Sequence, residues 1–357
     1  MKTISYSLFI SSVIALMFAA ADARAEDVES ETLQQGINAV PIDRTPPRYP
    51  GLELERGRQG WVELSYVVTT EGTAVSPIVQ GSSGSPHFER AALEVVSGWT
   101  FEPARWNGDA IQQSDNRTLI TFAMEDAGKL VSLSFSDKHR RINKKMEDGD
   151  LEESREMLDK LHESKNLTLP ELSWLWSLEA HYAGLTGDNR AQLDAVRKAT
   201  ISDGRWVSDE LYPNLLLVRT IREMETGDFS AAFRSYEKLT ATGADFPQLD
   251  AVQSNIERLQ GVVASDATYA VPARVAGVDY CEECASKWSY RLLRRKFSLT
   301  NIDGDLGALE VRCARHWVVD EAQPGTSWSI PEFWGDCSVI VFGEPGATFD
   351  LHEEPGV

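Results

Sequence analysis

The chain has 357 residues, of which 42% are hydrophobic, and it carries a formal net charge of −20 at pH 7. This length and apolar content allow a sizeable core and predict two or three domains. The negative charge argues against nucleic acid and anionic membrane surfaces as partners, because both repel an acidic protein.

The first 25 residues have the pattern of a secretory signal peptide. Lys2 precedes an apolar stretch from Leu8 to Ala21, and Ala23-Arg24-Ala25 follows as a small-x-small cleavage site. The stretch is shorter than the roughly 20 residues that a membrane-spanning helix needs, and an uncleaved anchor is the alternative. We therefore expect export, with residues 26–45 as a flexible, acidic lead-in.

Residues 46–125 begin with a predicted β-hairpin. From Trp61 to Thr69 apolar and polar side chains alternate with the period of a half-buried strand. The turn Thr70-Glu71-Gly72 leads into a second strand, Ala74 to Ser82, because Gly adopts positive φ freely. The apolar positions of the first strand are Val62, Leu64, Tyr66 and Val68.

A helix is predicted to follow this hairpin. Ser85 is a suitable N-cap and Pro86 a suitable first helical residue. One apolar stripe can lie on the hairpin; it consists of Phe88, Ala91, Ala92, Val95, Val96 and Trp99. Thr118 to Met124 then predicts a third strand, so the expected fold is a small antiparallel sheet with one covering helix.

The order and spacing of these residues resemble the C-terminal domain of the TonB family, a periplasmic module that contacts outer-membrane receptors. The matching positions are Tyr49, Pro50, Gly60, Ser82, Ser83, Gly84, Ala91, Ala92, Trp99, Phe101 and Pro103. The resemblance implies that a free sheet edge receives a short receptor segment by strand addition. Here that edge is predicted at Thr118, Leu119, Ile120, Thr121 and Phe122. Alternatively, the chain covers the edge itself.

The family resemblance also bears on force transmission. Energy-transducing members are anchored in the inner membrane by an N-terminal helix and reach outward through a long proline-rich spacer. In this sequence the apolar segment is predicted to be cleaved, and only Glu26 to Thr45 separates it from the domain. We therefore expect a periplasmic protein that does not transmit force by itself.

Three Gly-Asp pairs mark a repeat within residues 137–262. They are Gly149-Asp150, Gly187-Asp188 and Gly227-Asp228, spaced by 38 and 40 residues. Each pair separates two helices, because Gly supplies the positive φ that ends one helix and Asp caps the next. The predicted helices are 138–146, 151–161, 171–185, 189–199, 210–225 and 229–239, with 248–259 as an end cap.

These α-helical hairpin repeats resemble tetratricopeptide repeats, although their period exceeds the usual 34 residues. Such pairs must stack to bury their apolar faces. A concave surface that binds peptides and a rigid spacer between two domains are both open interpretations. The nearby His139, His162 and His181 have no spacing that indicates metal ligands.

Residues 263–357 change to short β-like runs separated by turns. The runs 290–299, 307–313, 317–320, 338–342 and 348–351 predict a small β-sandwich with disulfides. All four cysteines lie here, and an exported chain tends to pair them. Of three possible connectivities we favour Cys313 with Cys337 and Cys281 with Cys284. A zinc site or a thiol-disulfide active site at the Cys281 pair is a weaker alternative.

The sequence offers no recognisable catalytic arrangement, so no enzyme, cofactor or metal is expected. It lacks a Gly-x-Ser-x-Gly elbow, a phosphate-binding Gly-rich loop and a His-Glu-x-x-His motif. The leading hypothesis is a periplasmic interaction module associated with TonB-dependent transport, with outer-membrane receptors as partners. Alternatives are a soluble envelope scaffold using the helical repeats, with homodimerisation by strand pairing, and a polysaccharide-binding accessory. The aromatic residues behind the last idea are Trp288, Trp317, Trp328 and Trp334.

Overall fold

The computed structural model describes residues 36–124, 129–277 and 286–356, and combines helices in the middle with strands on both sides. The α-helices of these residues are α1 (Gly51–Glu55), α2 (Pro86–Val96), α3 (Leu133–Glu147), α4 (Leu151–His162), α5 (Leu169–Thr186), α6 (Asn189–Ala199), α7 (Ile201–Gly204), α8 (Leu211–Glu225), α9 (Phe229–Ala241) and α10 (Leu249–Ala264).

The strands form antiparallel sheets. Those of the N-terminal part are β1 (Gly36–Ile37), β2 (Val40–Asp43), β3 (Gly60–Val68), β4 (Ala74–Ser82), β5 (Thr100–Glu102), β6 (Ala104–Trp106), β7 (Asp109–Ile111) and β8 (Gln113–Phe122). Those of the C-terminal part are β9 (Tyr269–Arg274), β10 (Lys287–Arg291), β11 (Lys296–Asp303), β12 (Leu306–Cys313), β13 (Trp317–Glu321), β14 (Ser327–Ser329), β15 (Cys337–Gly343) and β16 (Thr348–Glu354).

The N-terminal part is a three-stranded sheet in the order β4-β3-β8, with α2 packed on one face. The Ser85 side chain accepts a hydrogen bond from the Phe88 N–H, so the predicted N-cap is present. The pairing of β3 with β4 shifts between Ser65 and Val67, and Ser76 opposite has φ +48°. Val68 lies in the core under α2 with Val62, Leu64 and Tyr66, whereas Val67 is buried on the opposite face of the sheet.

Two predicted boundaries in this part were wrong. The third strand was predicted from Thr118 to Met124, but β8 begins at Gln113 because a polar neighbouring surface covers its polar first half. Trp99 was placed on the helical stripe, but α2 ends at Val96. Trp99 follows the turn after α2 and is buried in the same core as the helix. Its indole N–H donates to the Thr45 carbonyl oxygen at 3.0 Å.

The helical part consists of antiparallel pairs joined at the Gly-Asp positions. Gly187 has φ +75°, and the Asp188 side chain accepts a hydrogen bond from the Ala191 N–H at the start of α6. The same arrangement joins α3 to α4 and α8 to α9, with Asp150 and Asp228 as N-caps. Buried apolar residues link successive pairs. Whether these pairs are tetratricopeptide-like remains a prediction.

The C-terminal part has two four-stranded sheets, β10-β15-β12-β13 and β14-β11-β16-β9, around one apolar core. The run 290–299 was predicted as a single strand and is instead divided between β10 and β11. The break allows Leu293 and Arg294 to donate their backbone N–H groups to Glu353, which is fully buried. The chain therefore changes sheets where a buried carboxylate accepts these bonds.

The predicted Cys313–Cys337 disulfide is confirmed. It joins directly opposed residues of β12 and β15, with a Cα–Cα distance of 4.0 Å. Both cysteines are buried. The second predicted pair, Cys281 with Cys284, lies outside the described residues.

Candidate functional site

The candidate site is the outer edge of β8, which among the described residues pairs with β3 on one side and with no strand on the other. Trp61 of β3 directs its backbone toward the β4 side, because its carbonyl accepts the Ser83 N–H at 2.9 Å. Alternate residues of an antiparallel strand face opposite neighbours. Val62 therefore bonds to its partner Ile120, whereas Thr121, opposite Trp61, directs its N–H and C=O outward.

By the same alternation Arg117, Leu119 and Thr121 present their backbone groups to the outside. Among the described residues, none makes a backbone hydrogen bond to these outward groups. Unpaired N–H and C=O groups on a strand edge are a template for another extended chain. The edge therefore has the chemistry needed to accept a further strand.

The chain segment before α1 lies on the α2 side of β8. The Tyr49 ring packs edge-on against Phe88 and Phe122, at centroid distances of 5.7 and 5.9 Å. Burial raises the pKa of the Tyr49 hydroxyl, and the nearby Glu53 raises it further. Arg44 donates to the Thr118 hydroxyl at 2.6 Å. These contacts hold the segment before α1 against the face of β8 that α2 covers.

The opposite face of β8 is covered by the helical and C-terminal parts. Leu119 packs against a small apolar cluster containing Trp61, Leu169 and Trp206. Ser114, fully buried, accepts the Cys313 N–H at 2.7 Å. The strand is therefore held from both faces.

The five residues predicted for the edge differ in orientation. Ile120 and Phe122 are buried in the core under α2, and Thr118 points to the same face. Thr121 is exposed and Leu119 is half-buried, and these two direct their backbones outward. Arg117, which was missed, belongs to the outward set. The predicted strand start at 118 excluded it, although its spacing from Leu119 and Thr121 is the signal that could have found it.

The residues that carry the family resemblance build the domain rather than line its edge. A side chain at Gly60 would meet the Phe88 ring at 2.6 Å, so strand and helix approach closely there. Ser83 accepts the Trp61 N–H at 3.0 Å. The others hold turns or core positions: Tyr49, Pro50, Ser82, Gly84, Ala91, Ala92, Trp99, Phe101 and Pro103.

The aromatic residues of the C-terminal part are each engaged within the protein. Trp328 stacks on Phe297 at 5.1 Å and donates its indole N–H to Asp320 at 2.9 Å. Trp288 stacks on Tyr290, Trp317 donates to Glu310, and Trp334 contacts His316. All four tryptophans are half-buried, so they do not form an exposed row.

Two further observations bear on the site chemistry. Within ranges 36–124, 129–277 and 286–356, no three His, Cys, Asp or Glu residues are grouped so that they could hold a metal ion. Across the same ranges, none of the helices is sufficiently long and apolar to span a bilayer.

The described residues form a mixed α+β structure, and the sheet that carries the candidate edge, with its covering helix, lies in the part of the chain that matches a known family. Residues 45–123 match the family model described as Gram-negative bacterial TonB protein C-terminal. The predicted resemblance over 46–125 is thereby confirmed.

Two curated proteins show the same relationship. Protein tonB2 from Pseudomonas aeruginosa is 37% identical over 68 residues, which cover 19% of this chain and 25% of that protein. Protein TonB from Vibrio cholerae is 30% identical over 78 residues, which cover 19% of this chain and 32% of that protein. The similarity thus spans about a quarter to a third of these relatives' length.

A solved structure was also found to be similar to part of the chain. The solution NMR structure of the Pseudomonas aeruginosa TonB CTD is 28% identical and covers 25% of this chain and 88% of that chain. The TM-score is 0.22, which is too low to establish a common fold. The family-model match ends at residue 123, so it does not cover the helical part and the β-sandwich.

Proposed function

We propose that this protein is a periplasmic interaction module associated with TonB-dependent transport across the outer membrane. It binds an extended segment of an envelope partner, such as an outer-membrane receptor, by strand addition at the outer edge of β8. The observation that carries the proposal is the row of outward backbone groups at Arg117, Leu119 and Thr121, which are unpaired within the described residues.

A proline at Thr121 tests the proposal most directly. Thr121 is exposed and its N–H faces outward, so proline removes a donor needed by the partner without breaking the ladder to β3. Ile120 is unsuitable, because its N–H pairs with Val62 inside the sheet. Each lost backbone bond weakens association by about 1 kcal/mol, and the proline ring adds steric exclusion. We therefore expect at least about tenfold weaker binding.

Val319→Pro provides a matched control on another edge strand. Val319 is 54% exposed on β13, and the pairing of β12 with β13 places its N–H outward as well. Both variants and the parent protein are used to capture partners from envelope extracts, with urea unfolding as the check on folding. Loss of capture in T121P alone supports strand addition at β8.

Capture that is equally strong in T121P and the parent would overturn the proposal. That result is what a scaffold binding through its helical repeats predicts, because the helices α3 to α10 are untouched by the change at β8.

A further inference from the structure

Two leucines between the end of β8 and the first turn of α3 point away from the protein. Leu130 and Leu133 have exposed fractions of 78% and 86%, the highest of any large hydrophobic residue in the described part of the chain. Met124, two residues beyond the end of β8, is 43% exposed. Single exposed apolar residues are common on protein surfaces, whereas neighbouring ones mark a surface that another molecule covers.

The segment that carries the two leucines is held in place by its other residues. Val131 packs against the apolar cluster that α3, α4 and α5 share. Ser132 donates its backbone N–H and its hydroxyl to the Glu171 carboxylate at 3.0 and 2.6 Å, and Glu171 is only 4% exposed. The polar residue of the segment is thus bound to the protein while Leu130 and Leu133 face outward. This reverses the usual arrangement, so packing among the described residues does not account for it.

The first turn of α5 contacts both this segment and β8. Leu169 packs in the cluster that includes Leu119 of β8, and Glu171 in the same turn binds Ser132. Leu172 packs both in the cluster of Leu119 and in the cluster shared by α3, α4 and α5. Because one helical turn is only about 5 Å long, the segment and the strand lie side by side on it.

We call the four residues Leu119, Met124, Leu130 and Leu133 the apolar margin of β8. Leu119 is half-buried, lies on the sheet face away from α2 and directs its backbone groups outward. In an added strand, the side chain opposite Leu119 on that face would have its Cβ about 5 Å from the Leu119 Cβ. The next side chain on the same face would follow about 7 Å further along, toward the end of β8 that leads to Met124.

We propose that the apolar margin binds large apolar side chains of the same extended partner segment that pairs with β8. The inference rests on the proposed function and adds the chemistry of the partner, which is a polypeptide with aliphatic or aromatic residues at alternate positions. The neighbouring backbone groups identify this occupant, because another extended chain is what pairs with a row of outward N–H and C=O groups.

The proposal also gives a role to residues after the family match. Met124, Leu130 and Leu133 lie beyond residue 123, where that match ends. The backbone of β8 would then supply affinity for any extended chain, and the segment that follows the matched part would select for apolar side chains.

Short random peptides displayed as a library and selected on the whole protein test this. We expect the selected peptides to lose binding to T121P and to carry large apolar residues at alternate positions. The double variant L130S/L133S changes only exposed side chains, so it should fold like the parent. Its affinity for the selected peptides should be about tenfold or more weaker, because burying even one leucine side chain is worth at least about that factor.

L185S is the matched control. Leu185 is 47% exposed near the end of α5, about 24 Å along the helix from Leu169. L185S should bind the peptides as tightly as the parent. L130M/L133M keeps the surface apolar and should also retain parental affinity, and urea unfolding of each variant checks its folding.

The two hypotheses fail in different ways. If the selected peptides bind T121P as tightly as the parent, strand addition is wrong and the inference falls with it. If binding is lost in T121P but L130S/L133S binds the peptides as well as L185S does, the apolar margin does not contact the partner, and the proposed function stands.

A lipid surface or a second copy of this chain would also cover exposed leucines. Sedimentation with vesicles of phosphatidylcholine and phosphatidylglycerol measures the first, and sedimentation equilibrium of the protein alone measures the second. We expect neither vesicle binding nor dimerisation to depend on Leu130 and Leu133. If either is abolished in L130S/L133S while the affinity for the peptides is unchanged, the leucines have that other partner and the inference is overturned.

Discussion

Arg312 is the residue whose replacement should disturb the junction of the β-sandwich with the N-terminal sheet most. It is 1% exposed, and its side chain donates to Glu310 at 2.8 Å within its own strand. It also donates across the junction to the Ser65 hydroxyl at 3.1 Å and the Ser76 carbonyl at 2.8 Å. The change Arg312→Met keeps most of the volume and removes the charge and every donor.

The expected loss of stability comes from the Glu310 carboxylate, which stays buried after its arginine partner is removed. The Glu310 side chain is 10% exposed, and in R312M its carboxylate would keep only the Trp317 indole N–H at 3.3 Å and the Ser76 hydroxyl at 3.4 Å. Removing one partner of a buried ion pair leaves an uncompensated charge, which costs about 3–5 kcal/mol. We expect R312M to lower the free energy of unfolding by that amount.

Urea unfolding followed by tryptophan fluorescence measures the change as a shift of the midpoint. The double variant E310M/R312M removes both charges and should recover at least about 2 kcal/mol of the loss, because replacing a whole buried pair is far less costly than breaking one. Arg140→Met removes an exposed arginine paired with Asp137 and should change stability by less than about 0.5 kcal/mol. A loss below about 1 kcal/mol in R312M, or no recovery in the double variant, would refute the reasoning.

Two further predictions concern the disulfide and a buried histidine. Replacing Cys313 and Cys337 by alanine opens a loop of sequence separation 24 and should cost about 3 kcal/mol in the same urea assay; an unchanged midpoint would contradict this. Burial lowers the pKa of His139 to about 4, assisted by the nearby His181. Between pH 6.5 and about 4 the unfolded chain therefore binds more protons at this site than the folded protein does. The free energy of unfolding should fall as the pH is lowered through this interval, by at most about 3 kcal/mol. H139Q should flatten the urea midpoint over that interval, and an equally steep profile would show that another group is responsible.

Local rules determined much of the fold from the sequence. The hairpin of β3 and β4 follows from its alternation and the Gly72 turn, and α6 has the bounds predicted from the Gly187-Asp188 pair. Ser85 and Asp188 act as N-caps through their own side chains. These features depend on residues within a few positions of one another, so a single sequence contains the information that sets them.

Long-range pairing decided the features on which the candidate site depends. The first half of β8 resembles a polar loop in the sequence, and it is a strand because buried Ser114 bonds to Cys313, 199 residues away. The sequence alone predicted an edge at residues 118–122. Which backbone groups face outward depends on the register of β8 with β3, and the contact of Arg291 with Asp115 of β8 depends on how separate parts of the chain pack. A run of polar residues such as the first half of β8 does not by itself distinguish a loop from a strand. The same side chains can hydrogen-bond to water in a loop or to neighbouring residues in a sheet, and only the tertiary structure decides between the two.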